Sequence, residues 1–386
     1  MSQNNEITSK RPLRVLHIAF TMKARGTETW LMNILRHVNR REFQMDFITV
    51  KGERGFYDEE IRSLGANLYP CTHPDQKFTF LKDLRKVIKE KGPYDIIHAH
   101  PYTISGLIMA LAKWQKIAVR ITHSHTDRRE AVQDKSILRR IYICFMKKLI
   151  LLFSTYRIAV SKSAALSLFG KNSKNLSIMH CGINLEPFEN MEKEDVRTSF
   201  NIPKDRKIIG HIGGFNEEKN HQFLLSTFVS LLKSAPDLHL LLAGDGPLRQ
   251  SIEQQTHDLN IQDHVTFVGI QRDIAPFLNI MDVFVFPSLF EGLGLALIEA
   301  QAAGVPVIAS VHVPTEAVVI DCLVEFLPLG DADQWQESIV KILQKEPVSQ
   351  SDALDRIKSS DFNIVRNIEE LTALYKTLCT SHKRRG

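Results

Sequence analysis

Glu291 and Glu299 stand eight residues apart in Pro287–Ser310, PSLFEGLGLALIEAQAAGVPVIAS, a stretch otherwise composed like a buried core. Two carboxylates can act as an acid/base pair on one bond, or they can hold the two ends of an extended ligand. Eight helical residues span about 12 Å at ~1.5 Å per residue, too far for the first task and suited to the second. Gly292 and Gly294 open the expected helix, where free N–H groups and the positive end of the dipole suit an anion or a sugar hydroxyl. Glycine there also lets a ligand approach the backbone. The spacing alone fits a surface acid and a capping acid on an ordinary helix equally well.

Other polar groups fall where strands should end. His123 and His125 in RITHSHTD alternate along a strand and share one face, as do His98 and His100 in HAHP. Either pair could begin a metal site, but the sequence offers no clear third ligand. The expectation is therefore strand-end polar residues lining a cleft, with no bound metal. Asp331 and Asp333 in GDADQW precede an amphipathic pattern, so Asp333 reads as a helix N-cap rather than a metal ligand.

The elements that must position these groups alternate strand with helix. Arg14–Phe20, Gln44–Val50, Asp95–His100 and Ala118–Ser124 read as strands; Glu28–Val38, Phe80–Lys91 and Ser105–Trp114 read as helices. After the polar stretch Asn184–Asp205 the pattern restarts with KIIGHIGG, LHLLLAG, HVTFVG, DVFVFPS and PVIAS as strands. Such alternation gives parallel sheets covered on both faces. The prediction is α/β, with two doubly wound domains in tandem and a ligand cleft at the carboxyl ends of their strands. Expected bounds are 1–183, 184–361, and a final helix and tail at 362–386.

EGLGLALIEAQAAGVPVIAS resembles the E-x7-E signature of the retaining glycosyltransferases of family 4, with their GT-B fold of two Rossmann-like domains facing a central cleft. The flanking GHIGGFNEEKNH, LLAGDGPLR, VTFVGIQRDI and MDVFVFPS follow in the family's order, and the likeness runs from about Leu13 to the C-terminus. The resemblance implies that Glu291 contacts hydroxyls of a donor sugar and Glu299 the ribose of its nucleotide. Backbone groups around Gly292, Leu293 and Gly294 would face sugar and diphosphate. The family's G-R-F-x-x-x-K stretch is GGFNEEK here, so Lys219 matches the lysine, while Gly214, after Gly213, replaces the arginine. Gly244 belongs to the matching LLAGDG turn. The family's G-G-A-E loop is RGTE, with Arg25 at the first glycine position and Gly26 kept. Arg25 either replaces the missing cation or is a surface arginine. One histidine of the 123–125 loop is implied near the sugar, with His123 preferred over His125. Bacterial exopolysaccharide and capsule transferases are the nearest in style. The implied activity is metal-independent transfer of a hexosyl unit from a nucleotide-diphosphate sugar to a saccharide or polyprenyl-linked acceptor.

A departure at the phosphate site keeps a second reading open, a catalytically silent nucleotide-sugar-binding subunit; a third is another GT-B activity such as an epimerase or a phosphorylase. First-domain loops, among them Arg54–Tyr57 and His73–Phe78, would select the acceptor. The five cysteines include no CxxC pair, against a disulfide framework or zinc cluster. Residues 1–185 carry 31 Lys and Arg against 15 Asp and Glu; the remainder carries 18 against 29. The basic half lacks a nucleic-acid-binding motif, so an anionic membrane or phosphorylated acceptor is its expected partner. Ile137–Arg157 is apolar and basic, too short and too charged to span a bilayer. It fits an interfacial helix with Arg139, Arg140, Lys147, Lys148 and Arg157 at headgroups, or a buried helix with a basic rim. The polar N-terminus predicts a cytoplasmic protein, possible peripheral contact with the inner membrane face included.

Overall fold

A computed structural model describes residues 11–71, 77–129, 136–171, 173–189, 196–346 and 348–383. The expected loop at His73–Phe78 falls largely outside these. The first sheet takes seven parallel strands: β1 Leu13–Ala19, β2 Phe43–Thr49, β3 Leu68–Pro70, β4 Ile96–Ala99, β5 Val119–Ser124, β6 Tyr156–Ala159 and β7 Leu176–Ile178. Their spatial order is β3-β2-β1-β4-β5-β6-β7. The second takes six: β8 Lys207–Ile212, β9 Leu238–Ala243, β10 Val265–Gly269, β11 Val283–Phe286, β12 Val307–Ser310 and β13 Val324–Leu327, in the order β10-β9-β8-β11-β12-β13. All recorded pairs are parallel. The two-domain, doubly wound α/β architecture expected from the sequence is the one observed.

Each sheet reverses direction once, between β1 and β4 in the first and between β8 and β11 in the second. Loops leaving adjacent strands on opposite sides open a crevice there, at the carboxyl edge. The strands can lie in the middle of the molecule because they are apolar through their length: Ile96, Ile97 and Ala99 of β4, and all of β11, are buried. Each fully buried aliphatic side chain contributes about 1.5–3 kcal/mol.

Four short strands, β3, β6, β7 and β13, lack a sequence signal of their own. One of them corrects the reading of Ile137–Arg157. The helix ends at Phe153, and Tyr156–Ala159 is strand β6. Arg157 is consequently buried, donating to the carbonyls of Lys174 and Leu151, and the Lys147 ammonium donates to the Ser167 carbonyl. Arg157 is thereby kept from a headgroup, and Lys147 is half-buried. Similarly, the cap of the helix Ala332–Leu343 is Asp331, whose carboxylate accepts from the Gln334 N–H at 3.0 Å, and Asp333 lies in the first turn.

The last helix, Ile364–Lys383, returns to the first domain. The Trp30 indole donates to Asn367 at 2.6 Å, and His98 Nδ1 bonds the Tyr375 hydroxyl at 2.6 Å. Asn367 also donates to the His180 carbonyl at 2.7 Å. Outgoing and returning connections run side by side, Ile183 pairing with Asn363.

Candidate functional site

Lys219 and Glu291 meet across the switch point of the second sheet. Lys219 closes a 3-10 turn, Glu217–Lys219, after β8, and Glu291 lies in the loop after β11. Their charged atoms are 2.5 Å apart, with the side chains 17% and 13% exposed, and the ammonium sits 4.7 Å from the Phe286 ring centroid. The pair is thus largely desolvated but open on one side. The floor beneath it is glycine for steric reasons. A β-carbon at Gly213 would press on Lys219 Cδ and Cε at 3.2 Å. At Gly244, with φ +132°, it would lie 2.0 Å from the Gly213 carbonyl oxygen. At Gly214, where the family arginine is absent, the nearest atom to a β-carbon would be Asn216 Nδ2, at 2.7 Å.

The helix after Glu291 starts later than the sequence suggested. It runs Leu295–Ala302 with Gly294 as its N-cap at φ +92°, so Glu291 precedes it and the eight-residue helical spacing does not apply. Leu293 is buried. Gly292 is pressed against the first domain, where a β-carbon would be 1.8 Å from the His125 carbonyl oxygen. Its own carbonyl accepts from the Ser161 hydroxyl at 2.6 Å. Close approach here therefore serves a contact between the domains. A β-carbon at Gly26, first residue of the helix Gly26–His37, would lie 3.4 Å from Leu295 Cδ1. Two helix N-termini, one from each domain, consequently face each other at this seam, and together they favour an anion between them. Arg25 precedes the first; it is exposed and forms no ion pair among the described residues.

Glu299 lies one turn along its helix, where burial, reinforced by Asp273, pushes its carboxyl up to about 7. Glu299 in turn adds to the upward shift that burial gives the Tyr57 phenol of the first domain. Beyond it the surface opens into a cavity of about 470 Å³ lined by Phe56, Phe200, Ile270, Arg272, Asp273 and Phe277. The Arg272 guanidinium lies 5.7 Å from the Phe56 ring centroid.

The histidines depart from expectation. His123 is fully buried, so its ring is not among the groups exposed at the cleft. His125 borders the cleft through its carbonyl, while its ring turns inward, Nε2 lying 2.9 Å from His100 Nδ1. His17 Nδ1 lies 3.0 Å from His100 Nε2, and His17 pairs with His98 across β1 and β4. His17, His98, His100, His123 and His125 thus form one cluster beneath Trp30, which stands edge-on to His123 at 5.1 Å. Burial holds His17 and His125 down to about 3. It also keeps His98, His100 and His123 far below the usual imidazole range, helped by their histidine neighbours. A third potential ligand, judged absent from the sequence, is supplied to each pair by neighbouring strands.

Glu28 was missed. It is buried in the first turn of the Gly26–His37 helix, its carboxyl pushed up to about 7 by burial. The signal was an acid two residues before Trp30, on a face otherwise apolar.

With this geometry in hand, the chain's likenesses are informative. Residues 24–187 match the family described as Glycosyltransferase Family 4, and residues 192–358 that described as Glycosyl transferases group 1. EpsF of Bacillus subtilis (strain 168), named as a glycosyltransferase, is 35% identical over 337 residues, covering 85% of this chain and 87% of EpsF. The capsular polysaccharide biosynthesis glycosyltransferase CapH of Staphylococcus aureus is 26% identical, over 95% of this chain and all of CapH. Among solved structures, Anabaena Alr3699/HepE in complex with UDP and glucose superposes with a TM-score of 0.79 at 15% identity, covering 95% of this chain and 100% of the other.

Proposed function

The chain belongs to the family-4 glycosyltransferases, and from that premise we propose that it transfers a hexosyl unit from a nucleotide-diphosphate sugar to a lipid-linked saccharide. In this reading the anomeric configuration is retained, and the product is part of a cell-surface polysaccharide, as the name of CapH indicates for that relative. The observation that carries the reading is the two facing helix N-termini, Gly26–His37 and Leu295–Ala302, beside the Lys219–Glu291 pair. We assign the donor's diphosphate to this seam, beside Lys219 and the free N–H groups of the two helix starts.

In the reaction the bond from the anomeric carbon to the diphosphate oxygen breaks. The acceptor oxygen bonds to the same carbon from the same face, and its proton passes to the departing diphosphate. Lys219, the backbone N–H groups around Gly214 and Gly294, and Arg25 stabilise the negative charge that develops. Glu291 orients the sugar hydroxyls, Glu299 holds the ribose, and the cavity at Phe56 and Arg272 receives the base. Gly244 shapes the floor. The inward-turned His123 and His125 support the strand end and leave direct contact with the sugar to Glu291.

The helix Ile137–Phe153 supports a membrane-held carrier for the acceptor. It follows β5, so it begins at the carboxyl edge that borders the cleft. Ile137, Leu138 and Leu152 are more than 70% exposed, and Ile141 and Phe145 more than half. Arg139, Arg140 and Lys148 are exposed among them. Large apolar side chains gathered on one helix face are unusual on a lone soluble surface; with cations interspersed they suit the headgroup boundary of an anionic bilayer. Among the described residues no helix is long and apolar enough to cross a membrane. We place the protein peripherally, on the inner face.

The test is mass-spectrometric detection of nucleotide-diphosphate release from a panel of donors, UDP-sugars first, with a membrane lipid extract as acceptor source. Release from one donor, lost in Lys219→Ala and Glu291→Ala, is expected. Donor binding without release under any acceptor would favour instead a silent donor-binding subunit, the reading that Gly214 supports.

A further inference from the structure

His17, His98, His100, His123 and His125 end three neighbouring strands, β1, β4 and β5, at the switch point of the first sheet. Four of their nitrogens are buried without a hydrogen-bond partner: His17 Nε2, His98 Nε2, and both nitrogens of His123. Buried polar atoms are nearly always partnered, because each unpaired one forfeits its hydration. Hydrogen bonds within the cluster cannot repair this. A neutral imidazole donates through one nitrogen and accepts through the other. The wire from Cys181 Sγ through His125 and His100 to His17 ends, in either direction, on an unpartnered His17 Nε2.

We propose that His100, His123 and His125 bind a borderline divalent transition-metal ion of the Zn²⁺ class, through His100 Nδ1, His125 Nε2 and one His123 nitrogen. One ligand atom from each lies within 4.8 Å of the others, and His100 Nδ1 and His125 Nε2 are 2.9 Å apart. Two nitrogens at about 2.0–2.1 Å from a tetrahedral ion are separated by about 3.3 Å, so small ring rotations complete the site. Imidazole nitrogens suit Zn²⁺, Co²⁺ and Ni²⁺, whereas the cluster offers no carboxylate for Mg²⁺ or Ca²⁺. For His100 and His125 the remaining contacts, to His17 and to Cys181 Sγ, supply the outer partner that such ligands ordinarily have. His100 binds through Nδ1 while its Nε2–H donates to His17 Nδ1 at 3.0 Å, which fixes the tautomer and the ring. Three histidines leave a fourth position for water.

The ion would tie the end of β5 to that of β4. The carbonyl of the same His125 abuts Gly292, so it would stiffen the first-domain side of the seam without touching the donor. This site does not depend on the transferase reading.

The full chain, stripped with a chelator, is titrated with Co²⁺ or Zn²⁺ alone, with metal content measured by mass spectrometry. We expect about one ion per chain, a four-coordinate Co²⁺ absorption spectrum, and loss of both in His123→Gln and in His125→Gln. His17→Gln should weaken binding by about 10–100-fold, as outer partners do. His257→Gln and His312→Gln, at exposed positions, should leave it unchanged. Against the chance that a cluster variant fails to fold, the unmodified chain is melted with and without Zn²⁺, where a saturable rise in Tm is expected. No ion above background in the unmodified chain, or one equivalent retained in folded His123→Gln/His125→Gln, overturns the proposal.

Discussion

Gly292→Ala makes the contact between the domains measurable. The new β-carbon would lie 1.8 Å from the His125 carbonyl oxygen, 2.6 Å from the carbonyl carbon and 3.0 Å from Thr126 Cα. All three are backbone atoms, so no rotamer change relieves the overlap. Ordinary contact needs roughly 3.5 Å, so the loop must retreat by more than about 1.5 Å. That movement carries Glu291 with it and strains the Ser161–Gly292 bond at 2.6 Å. A misplacement of about 1 Å costs on the order of 100-fold in rate, or about 2.7 kcal/mol of transition-state stabilisation. Overpacking of this kind also destabilises by about 1–3 kcal/mol, while both sheet cores stay intact. The assay is kcat/KM for nucleotide-diphosphate release beside a calorimetric melt. Gly330→Ala, which adds its methyl group to open space, is the control. Unchanged kcat/KM in Gly292→Ala would refute the reasoning, because the seam could not then belong to the working state.

Lys219→Ala should lower kcat by about 10²–10³ and stability by about 1–3 kcal/mol, since it leaves a largely buried Glu291 unpaired. A Lys219→Ala/Glu291→Ala double variant should regain stability, but not activity, as measured by chemical denaturation and turnover. Glu299 ionises at about 7 in the folded chain against an ordinary 4.5. Between those values the folded state holds a proton that the unfolded state releases. Its stabilising contribution is therefore full below about pH 4.5 and is lost as pH rises through 7. Donor affinity should move the opposite way, tightening as the carboxylate forms. Titration calorimetry should show this in the unmodified chain and a flat profile in Glu299→Gln. Ile141→Glu/Phe145→Glu removes two side chains worth about 1.5–3 kcal/mol each on full insertion. Co-sedimentation with anionic vesicles should fall at least about 100-fold, and equal sedimentation would remove the membrane reading.

The sheets were legible because apolar strands such as β1, β9 and β11 carry their own signal. Strand β6 was not, since YRIA follows an apolar helix with only Ser154 and Thr155 between. What fixes it is its parallel pairing with β5 and β7, which is invisible locally. Lys219, Glu291 and the glycines were recognisable from motif order. That Gly292 faces a carbonyl, and that the His123 ring turns inward, depend on how the domains meet and on the packing of Trp30. The third histidine of each cluster was missed for a similar reason. His17 lies 81 residues before His98, and only the β1–β4 register brings them together.

The Trp30–Asn367 hydrogen bond joins residues 337 positions apart, which has a consequence for synthesis. The first domain begins at the ribosome but cannot close over Trp30 and His98 until Asn367 and Tyr375 emerge. At about 5–20 residues per second, the wait is roughly 20–60 s. The second sheet, whose strands lie between Lys207 and Leu327, is by then fully exposed to solvent and free to fold. The first sheet can therefore form early while its cover waits for the end of the chain, and a chain cut short before its last helix leaves that domain open at the histidine cluster.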